Sequence, residues 1–203
     1  PINFGESLIE QELLHLDGYK KSKPVRTGNG AHNQAQHDIY GFFTNLLIQF
    51  THSELLEIDK DYFKVIKKLA QELISKWKEK DCSIWEFREK FANYTSSKAL
   101  ACLALKNAAK LARNASHPEL AAFWIKEAKI IKEEFKEKSW CQAKESLTQA
   151  YEIKDLDASN LLLGRYNLLS YEEEKFKKTI LKTYKELTQN ELMYRYKLND
   201  GYG

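Results

Sequence analysis

The sequence predicts an all-α fold, and three observations support this class. Hydrophobic residues make up 43% and aromatic residues 12% of the 203 positions, enough for a packed core. Apolar residues recur at three- and four-residue steps, and no alternation of strand type extends over a useful length. Glycine is absent between Gly41 and Gly164, and Pro118 is the single proline there, so nearly all of 42–163 is permitted to be helical. About six or seven helices are expected.

The first three helices are predicted from the spacing of their apolar residues. The first contains Ile39, Phe42, Phe43, Leu46, Leu47 and Phe50, and the second contains Tyr62, Ile66, Leu69, Leu73, Ile74 and Trp77. Each set predicts an amphipathic helix with one buried face. The third contains Leu100, Leu103, Ala104, Ala108 and Leu111, whose small members allow a neighbouring helix to approach closely.

Two further helices are predicted from capping signals. Ser116 is followed by Glu119 three residues later, with Pro118 in the first turn, which is a capping-box pattern. Ser170 with Glu173 repeats the pattern before the last helix.

Charge and length exclude several classes of protein. The net charge of +3 is spread over interleaved Lys and Glu and forms no basic stripe, so no nucleic-acid partner is expected. The longest apolar stretches, 42–50 and 99–105, are shorter than the roughly 20 residues that cross a bilayer, so no membrane association is expected.

Cysteine and histidine placement argues against a metal, and no cofactor is implied. Cys82, Cys102 and Cys141 are odd in number and scattered, which disfavours a disulfide framework and a zinc site. His32 and His37 are five positions apart and do not share a helix face. A reducing compartment, and hence a cytoplasmic location, is expected.

Two irregular segments, 18–31 and 80–96, carry polar and aromatic side chains on connections between helices, where functional groups are often found. Four motifs resemble, in order, those of the bacterial glucoamylase-like and trehalase-like branch of glycoside hydrolase family 15. They are HLDGYKKSKPVRTGNGA at 15–31 with Gln34, Gln36, Asp38, Tyr40 and Gly41; IWEFR at 84–88 with YTSSK at 94–98; LDAS at 156–159; and YRY at 194–196 with Asp200 and Gly201.

The resemblance implies an (α/α)6 toroid of twelve helices, with the active site in a funnel at one end. Only about half of these helices can be identified here, so residues 1–203 are expected to form a single partial catalytic domain, the middle portion of the toroid. The Arg-Asp motif that grips the terminal sugar is expected before Pro1. The glutamate that serves as general base is expected after Gly203.

By the same resemblance, Glu86 is the general acid. Inverting hydrolysis needs an acid and a base carboxyl group about 6.5–9.5 Å apart, and Ile84, Trp85 and Phe87 could supply the apolar surroundings that keep the acid protonated. Without the motif, Glu86 would be taken for an ordinary surface carboxylate.

Five further residues are expected to bind substrate: Trp85, Arg26, Arg88, Lys98 and Arg195. Trp85 offers an apolar face to a sugar ring, but it could equally be a core residue. The guanidinium groups could bind hydroxyl groups, and Arg195 is the strongest of these candidates, although an arginine is usually a solvated surface residue.

Several polar positions leave a structural role open. Lys98 and Asp38 could each be structural hydrogen-bond partners, and this role is favoured for Asp38. Gln34 and Gln36 could read sugar hydroxyl groups or cap a helix. Asn29 is expected to cap a helix that begins near Gly30.

The sequence departs from the family pattern at several positions. Cys102 replaces a tryptophan, Lys106 and Asn107 replace an Asp-Arg pair, Ser83 and Glu89 each replace a glycine, and Phe42 replaces an acidic residue. These departures place activity in doubt more than the fold.

The predicted function is that of an inverting, exo-acting α-glucosidase of glucoamylase type. It releases glucose from the non-reducing ends of α-glucans or small α-glucosides, with trehalose among the candidate substrates. The alternative is a catalytically inactive helical scaffold or carbohydrate-binding remnant. The 203-residue chain alone is not expected to hydrolyse substrate, and its exposed apolar edge is expected to cause self-association.

Overall fold

The computed structural model describes residues 9–53, 55, 59–88 and 90–197, and the chain divides into two compact units, 1–35 and 36–203. In the N-terminal unit, strand β1 (Gln11–Glu12) pairs antiparallel with strand β2 (Arg26–Thr27), and a 3₁₀ turn spans Tyr19–Lys21. Gly28 has a φ of +83°, and a Cβ atom there would lie 2.2 Å from the Ile9 carbonyl oxygen. Only glycine fits this position without a backbone shift.

The helix expected near Gly30 is not formed. Asn29 Oδ1 accepts a hydrogen bond from the Ala31 backbone N–H at 2.8 Å, which closes a turn rather than starting a helix. The first α-helix begins at Asp38. The prediction that 18–31 is largely irregular is confirmed.

The described part of the C-terminal unit contains six α-helices, so the all-α class is confirmed. They are α1 (Asp38–His52), α2 (Lys60–Lys76), α3 (Thr95–Asn114), α4 (Pro118–Lys138), α5 (Leu162–Arg165) and α6 (Glu174–Leu187). Two antiparallel pairs of two-residue strands accompany them: β3 (Trp140–Cys141) with β4 (Ser146–Leu147), and β5 (Thr188–Gln189) with β6 (Leu192–Met193). A 3₁₀ helix, Ala158–Leu161, precedes α5.

Helix α3 is the centre of the core and packs against α1, α2 and α4. Most of its residues are buried, and the alanines among them allow close packing, as the sequence predicts. Gly41 of α1 lies so close to α3 that a Cβ atom would be 2.6 Å from the Leu100 carbonyl oxygen. This contact explains why a glycine occupies the first turn of α1.

The prediction that Ser116 caps α4 is wrong. The N-cap residue is His117, and Ser116 has a φ of +61°, because it reverses the chain after α3. The ring of His117 instead stacks on Phe63, with centroids 4.5 Å apart. Packing against α2 therefore replaces the capping hydrogen bond.

Helix α6 begins at Glu174, later than the capping signal at Ser170 predicts. The pair still interacts, because the Ser170 N–H donates to Glu173 Oε1 at 3.0 Å. Ser170 Oγ accepts from the Glu172 N–H at 3.1 Å. Ser170 and Glu173 therefore stabilise the turn before the helix and do not cap the helix itself.

The predicted apolar face of α1 is only partly buried. Leu47 and Ile48 join the core, while Ile39, Phe43, Leu46 and Phe50 are exposed. Self-association through this surface stays a prediction. None of the helices in the described ranges combines the length and apolar character needed to cross a bilayer.

Candidate active site

The connection between α2 and α3 contains the predicted general acid. A buried lysine binds the start of this connection through hydrogen bonds. Lys98 of α3 is fully buried, and its Nζ donates to the carbonyl oxygens of Trp77 at 2.5 Å and Glu79 at 2.6 Å. These carbonyl groups lie just after the end of α2, where helix carbonyl groups lack intrahelical partners. Burial lowers the pKa of Lys98 to about 8, and Asp81 opposes this effect. Such a placement argues against the predicted role of Lys98 in substrate binding.

The turn that presents Glu86 has two residues in the left-handed region. Ser83 has a φ of +65° and Glu86 a φ of +56°, and both positions are strained for residues with a side chain. The Glu86 N–H donates to the Ser83 carbonyl at 3.1 Å, and the Phe87 N–H to that of Cys82 at 2.8 Å. The family pattern resembled by this sequence has a glycine where Ser83 stands. The positive φ angle of Ser83 explains that glycine, because glycine adopts such an angle without steric cost.

Trp85 is half-buried and its indole ring is anchored by a buried carboxylate. Its Nε1–H lies 3.0 Å from both carboxylate oxygens of Asp157, a residue that is 1% exposed. The same carboxylate accepts from Gln149 Nε2 at 2.9 Å and from the Ser159 N–H at 2.8 Å. Burial raises the pKa of Asp157, and hydrogen bonds from Ser159, Gln149 and Trp85 oppose the rise.

Arg195 lies over the same indole ring. Its guanidinium carbon is 5.6 Å from the centroid of Trp85 and 5.4 Å from that of Tyr196. The Ala158 N–H donates to the Arg195 carbonyl at 2.9 Å, which ties the C-terminal segment to the 3₁₀ helix. The structure therefore brings together Trp85 and Arg195, two of the predicted substrate-binding residues.

Phe87, one of the three neighbours expected to surround Glu86 with apolar groups, does not do so. The Glu86 side chain is exposed, and its Oε1 accepts a hydrogen bond from Gln36 Nε2 at 3.3 Å. Phe87 packs away from it, into a buried cluster with Tyr94 and Tyr196. Gln36 thus contacts the predicted acid, in addition to the roles considered for it from the sequence.

The two other predicted arginines are found in different surroundings. Arg88 is exposed on the turn that follows Phe87. Arg26 belongs to the N-terminal unit, where its guanidinium forms ion pairs with Glu10 at 3.3 Å and Glu12 at 3.1 Å.

A buried polar cluster beneath the turn was not predicted from the sequence. The His37 N–H donates to Asp81 Oδ2 at 2.9 Å. Among the described residues, the buried atoms Asp38 Oδ1, Asp81 Oδ1 and His37 Nδ1 have no hydrogen-bond partner. Burial, then the charge of Asp81, raises the pKa of Asp38 to about 6, and Glu86 contributes further. Burial lowers the pKa of His37. A backbone hydrogen bond still reaches the Asp38 carboxyl group and lowers its pKa, so the structural role favoured for Asp38 stays a prediction.

The sequence lacks a local signal for these contacts. His37 and Asp81 are 44 positions apart, and Trp85 and Asp157 are 72 apart. The LDAS motif included Asp157 but did not indicate what its carboxylate binds. Among the described residues, no group of three or more His, Cys, Asp or Glu side chains could hold a metal ion.

The structure places the indole of Trp85 on the Asp157 carboxylate and under the Arg195 guanidinium, and Glu86 follows Trp85 in the chain. Comparison with known proteins identifies the family: residues 3–203 match the model described as Glycosyl hydrolases family 15. The chain belongs to that family. The described residues form six α-helices, one of them only four residues long, where the resemblance implies twelve for a complete domain.

Three curated relatives are named as trehalases. The chain is 36% identical to "Trehalase" of Mycobacterium tuberculosis over 96% of its own length and 28% of that protein. It is 38% identical to "Trehalase" of Mycolicibacterium smegmatis, covering 96% of this chain and 29% of the relative. It is 31% identical to "Trehalase 2" of Sulfolobus acidocaldarius, covering 93% and 33%. The chain thus spans about a third or less of these relatives. No solved structure matches.

Proposed function

We propose that the complete protein is a glycoside hydrolase that cleaves α,α-trehalose with inversion, and that Glu86 is its general acid. The observation that carries the proposal is the turn that presents Glu86 directly after Trp85, whose ring is anchored by Asp157 and covered by Arg195. The names of the relatives favour trehalose over the α-glucans of a glucoamylase. Residues 1–203 then form part of the catalytic domain.

In this mechanism the Glu86 carboxyl group donates its proton to the glycosidic oxygen as the bond from C1 to that oxygen breaks. A water molecule attacks C1 from the opposite face, and a second carboxylate accepts its proton. That second carboxylate is supplied by another part of the complete protein. Exposure of Glu86 in the described chain leaves its carboxyl group accessible to a substrate that enters beside Trp85.

Substrate binding uses the two groups that lie together. The face of Trp85 packs on the apolar side of a glucose ring, and the Arg195 guanidinium donates to hydroxyl groups. Gln36, which contacts the Glu86 carboxyl group, orients it. Lys98 has no part in binding, because its ammonium group is buried and bonded to two carbonyl groups.

We also place the protein in the cytoplasm. All three cysteines are unpaired, and Cys82 and Cys102 are buried as free thiols. Free thiols are typical of a reducing compartment.

The test is an assay of glucose release by the complete protein from trehalose, maltose and isomaltose. We expect trehalose to have the highest kcat/KM, and Glu86→Gln to lower kcat by about a thousandfold or more. Glu137→Gln, an exposed substitution on α4 with the same change of charge, should keep wild-type activity.

Preference for maltose or isomaltose would move the assignment to a glucoamylase-type α-glucosidase. Full activity in Glu86→Gln would contradict the proposed acid. Absence of hydrolysis by the complete protein, with retained binding of trehalose, would favour the carbohydrate-binding remnant instead.

A further inference from the structure

The two side chains proposed to bind substrate, Trp85 and Arg195, are both connected to one short stretch of chain, 157–158. The indole Nε1–H of Trp85 lies 3.0 Å from both carboxylate oxygens of Asp157. The next residue, Ala158, donates its backbone N–H to the Arg195 carbonyl oxygen at 2.9 Å. Three segments that are distant in the sequence therefore meet at this stretch.

The Asp157 carboxylate is held in place by further contacts. It caps the 3₁₀ helix before α5, where it accepts the Ser159 N–H at 2.8 Å, and it accepts from Gln149 Nε2 at 2.9 Å. Gln149 is fixed in turn, because its carbonyl oxygen accepts the Thr95 N–H at the start of α3 at 2.9 Å. The partners of the carboxylate, including Trp85, are all donors, and this suits its ionised form. The indole therefore meets a buried charge at a fixed position.

The hydrogen bond to Asp157 gives the Trp85 ring an orientation that its other contacts do not fix. The ring is half-buried, it packs edge to face with Tyr196 at a centroid distance of 6.1 Å, and the Arg195 guanidinium lies over it at 5.6 Å. Ring contacts of this kind tolerate sliding and rotation, whereas a hydrogen bond is directional. The carboxylate therefore determines how the indole is rotated.

The buried charge also acts on Arg195 through the indole. A cation over an aromatic ring is attracted by the negative face of that ring. A hydrogen bond from the indole N–H to an anion polarises the ring and makes its face more negative. The carboxylate at the edge of the Trp85 ring and the guanidinium over its face therefore stabilise each other's position.

We propose that Asp157 is a positioning residue for substrate binding, which fixes the Trp85 indole and strengthens its contact with Arg195 so that both side chains meet the same glucose ring. The inference rests on the proposed function, because trehalose is the substrate in both. Asp157 acts through Trp85 and does not itself touch the sugar, since it is only 1% exposed.

The test is a double-mutant cycle in the complete protein, with steady-state kinetics on trehalose. Asp157→Asn keeps the shape and removes the charge, and we expect it to raise KM about tenfold and to change kcat less than about threefold. In Trp85→Phe, which has no N–H to donate, the same substitution should change KM less than about twofold. A merely structural role of Asp157 would instead give the same factor in both backgrounds.

Asp155→Asn is the matched control. It makes the same change of charge two positions away, on a carboxylate that is 48% exposed and pairs with Lys144 at 3.8 Å. Both kinetic constants should equal those of the wild type.

A second readout does not depend on hydrolysis. In NMR spectra of the complete protein labelled with ¹⁵N-tryptophan, the Trp85 indole signal is the one that Trp85→Phe removes. Because a hydrogen bond to an anion shifts an N–H proton downfield, we expect this signal to move upfield in Asp157→Asn and to stay in place in Asp155→Asn.

An unmoved Trp85 signal in Asp157→Asn, or an equal rise of KM in both backgrounds, would overturn the inference. Absence of trehalose hydrolysis by the wild type would overturn the proposed function, and with it the role of Asp157 in binding trehalose. The indole signal would still decide whether Asp157 positions Trp85.

Discussion

Two buried aspartates near the candidate active site differ in how their charge is compensated. Asp157 is 1% exposed, and its carboxylate accepts hydrogen bonds from Trp85, Gln149 and Ser159. Asp38 is 7% exposed, its Oδ1 has no hydrogen-bond partner among the described residues, and a second buried acid, Asp81, lies near it. Burial raises the pKa of both, but only around Asp157 do side-chain hydrogen bonds oppose the rise.

This difference separates a positioning carboxylate from a titrating one. A fully hydrogen-bonded buried carboxylate holds its partners in one geometry, so Asp157 fixes the ring of Trp85. A buried carboxylate without such partners is destabilised in its charged form and takes up a proton near neutral pH. The hydrogen bonds around Asp157 are therefore expected to hold Trp85 in place, and the region around Asp38 is expected to respond to pH.

The largest expected effect is that of Asp157→Ala. The substitution leaves the donors of Trp85, Gln149 and Ser159 without their common acceptor, and we expect a loss of about 4 kcal/mol in the free energy of unfolding. Urea unfolding followed by circular dichroism measures it. Asp157→Asn keeps the shape and should lose less than half as much; equal losses would show that the hydrogen bonds do not carry the stability.

Lys98→Met should have the next largest effect. Without the ammonium group, the carbonyl groups of Trp77 and Glu79 lose a buried donor, at a cost of about 3 kcal/mol in the free energy of unfolding. Lys126→Gln, an exposed lysine substitution, serves as the control in the same urea titration and should change stability very little. A stable Lys98→Met variant would contradict a structural role for Lys98.

Asp38→Asn should stabilise the protein at pH 7. The pKa of Asp38 is about 6 in the folded state, above its value in the unfolded state. Between these two pKa values, the carboxyl group keeps its proton in the folded state and loses it in the unfolded state. Stability therefore falls with rising pH over that window, and the penalty is complete above pH 6.

Removal of this charge should raise the free energy of unfolding by about 2 kcal/mol at pH 7 and change it little near pH 4. Urea unfolding across this pH range gives the measurement. Destabilisation by Asp38→Asn at pH 7 would show that the charged form is compensated after all, and the contrast with Asp157 would then fail.

The smallest effect is expected for Ser83→Gly. Ser83 has a φ of +65°, so glycine should relieve strain in the turn and stabilise the protein by about 0.5 kcal/mol, after the greater flexibility of glycine in the unfolded state is included. The midpoint of thermal unfolding is the readout. Ser83→Ala, which keeps the strain and removes the hydroxyl group, should not increase it.

Periodicity and composition predict the four long helices because each has its own apolar spacing. They do not predict where α4 and α6 begin, since Ser116 is used to reverse the chain and Ser170 to build a turn. Periodicity also does not predict that part of the apolar face of α1 is exposed. The spacing shows which residues share a helix face, but it does not show whether another element covers that face.

Residues of the candidate site could be predicted only where they lie in a matched motif. Glu86, Trp85 and Arg195 lie in matched segments, and the structure brings the latter two together. The carboxylate of Asp157 and the cluster of His37 with Asp81 depend on contacts between distant positions, and a single sequence has no signal for these. Lys98 is in a matched segment yet faces the core.

The central claim, that Glu86 is a general acid, is tested most directly in the complete protein by comparing two substrates with Glu86→Gln. Trehalose needs protonation of its leaving oxygen, whereas α-glucosyl fluoride has a leaving group that departs with little help from an acid. We predict that Glu86→Gln lowers kcat for trehalose by about a thousandfold or more and kcat for the fluoride far less. Equal losses on both substrates, or no loss on trehalose, would contradict the account.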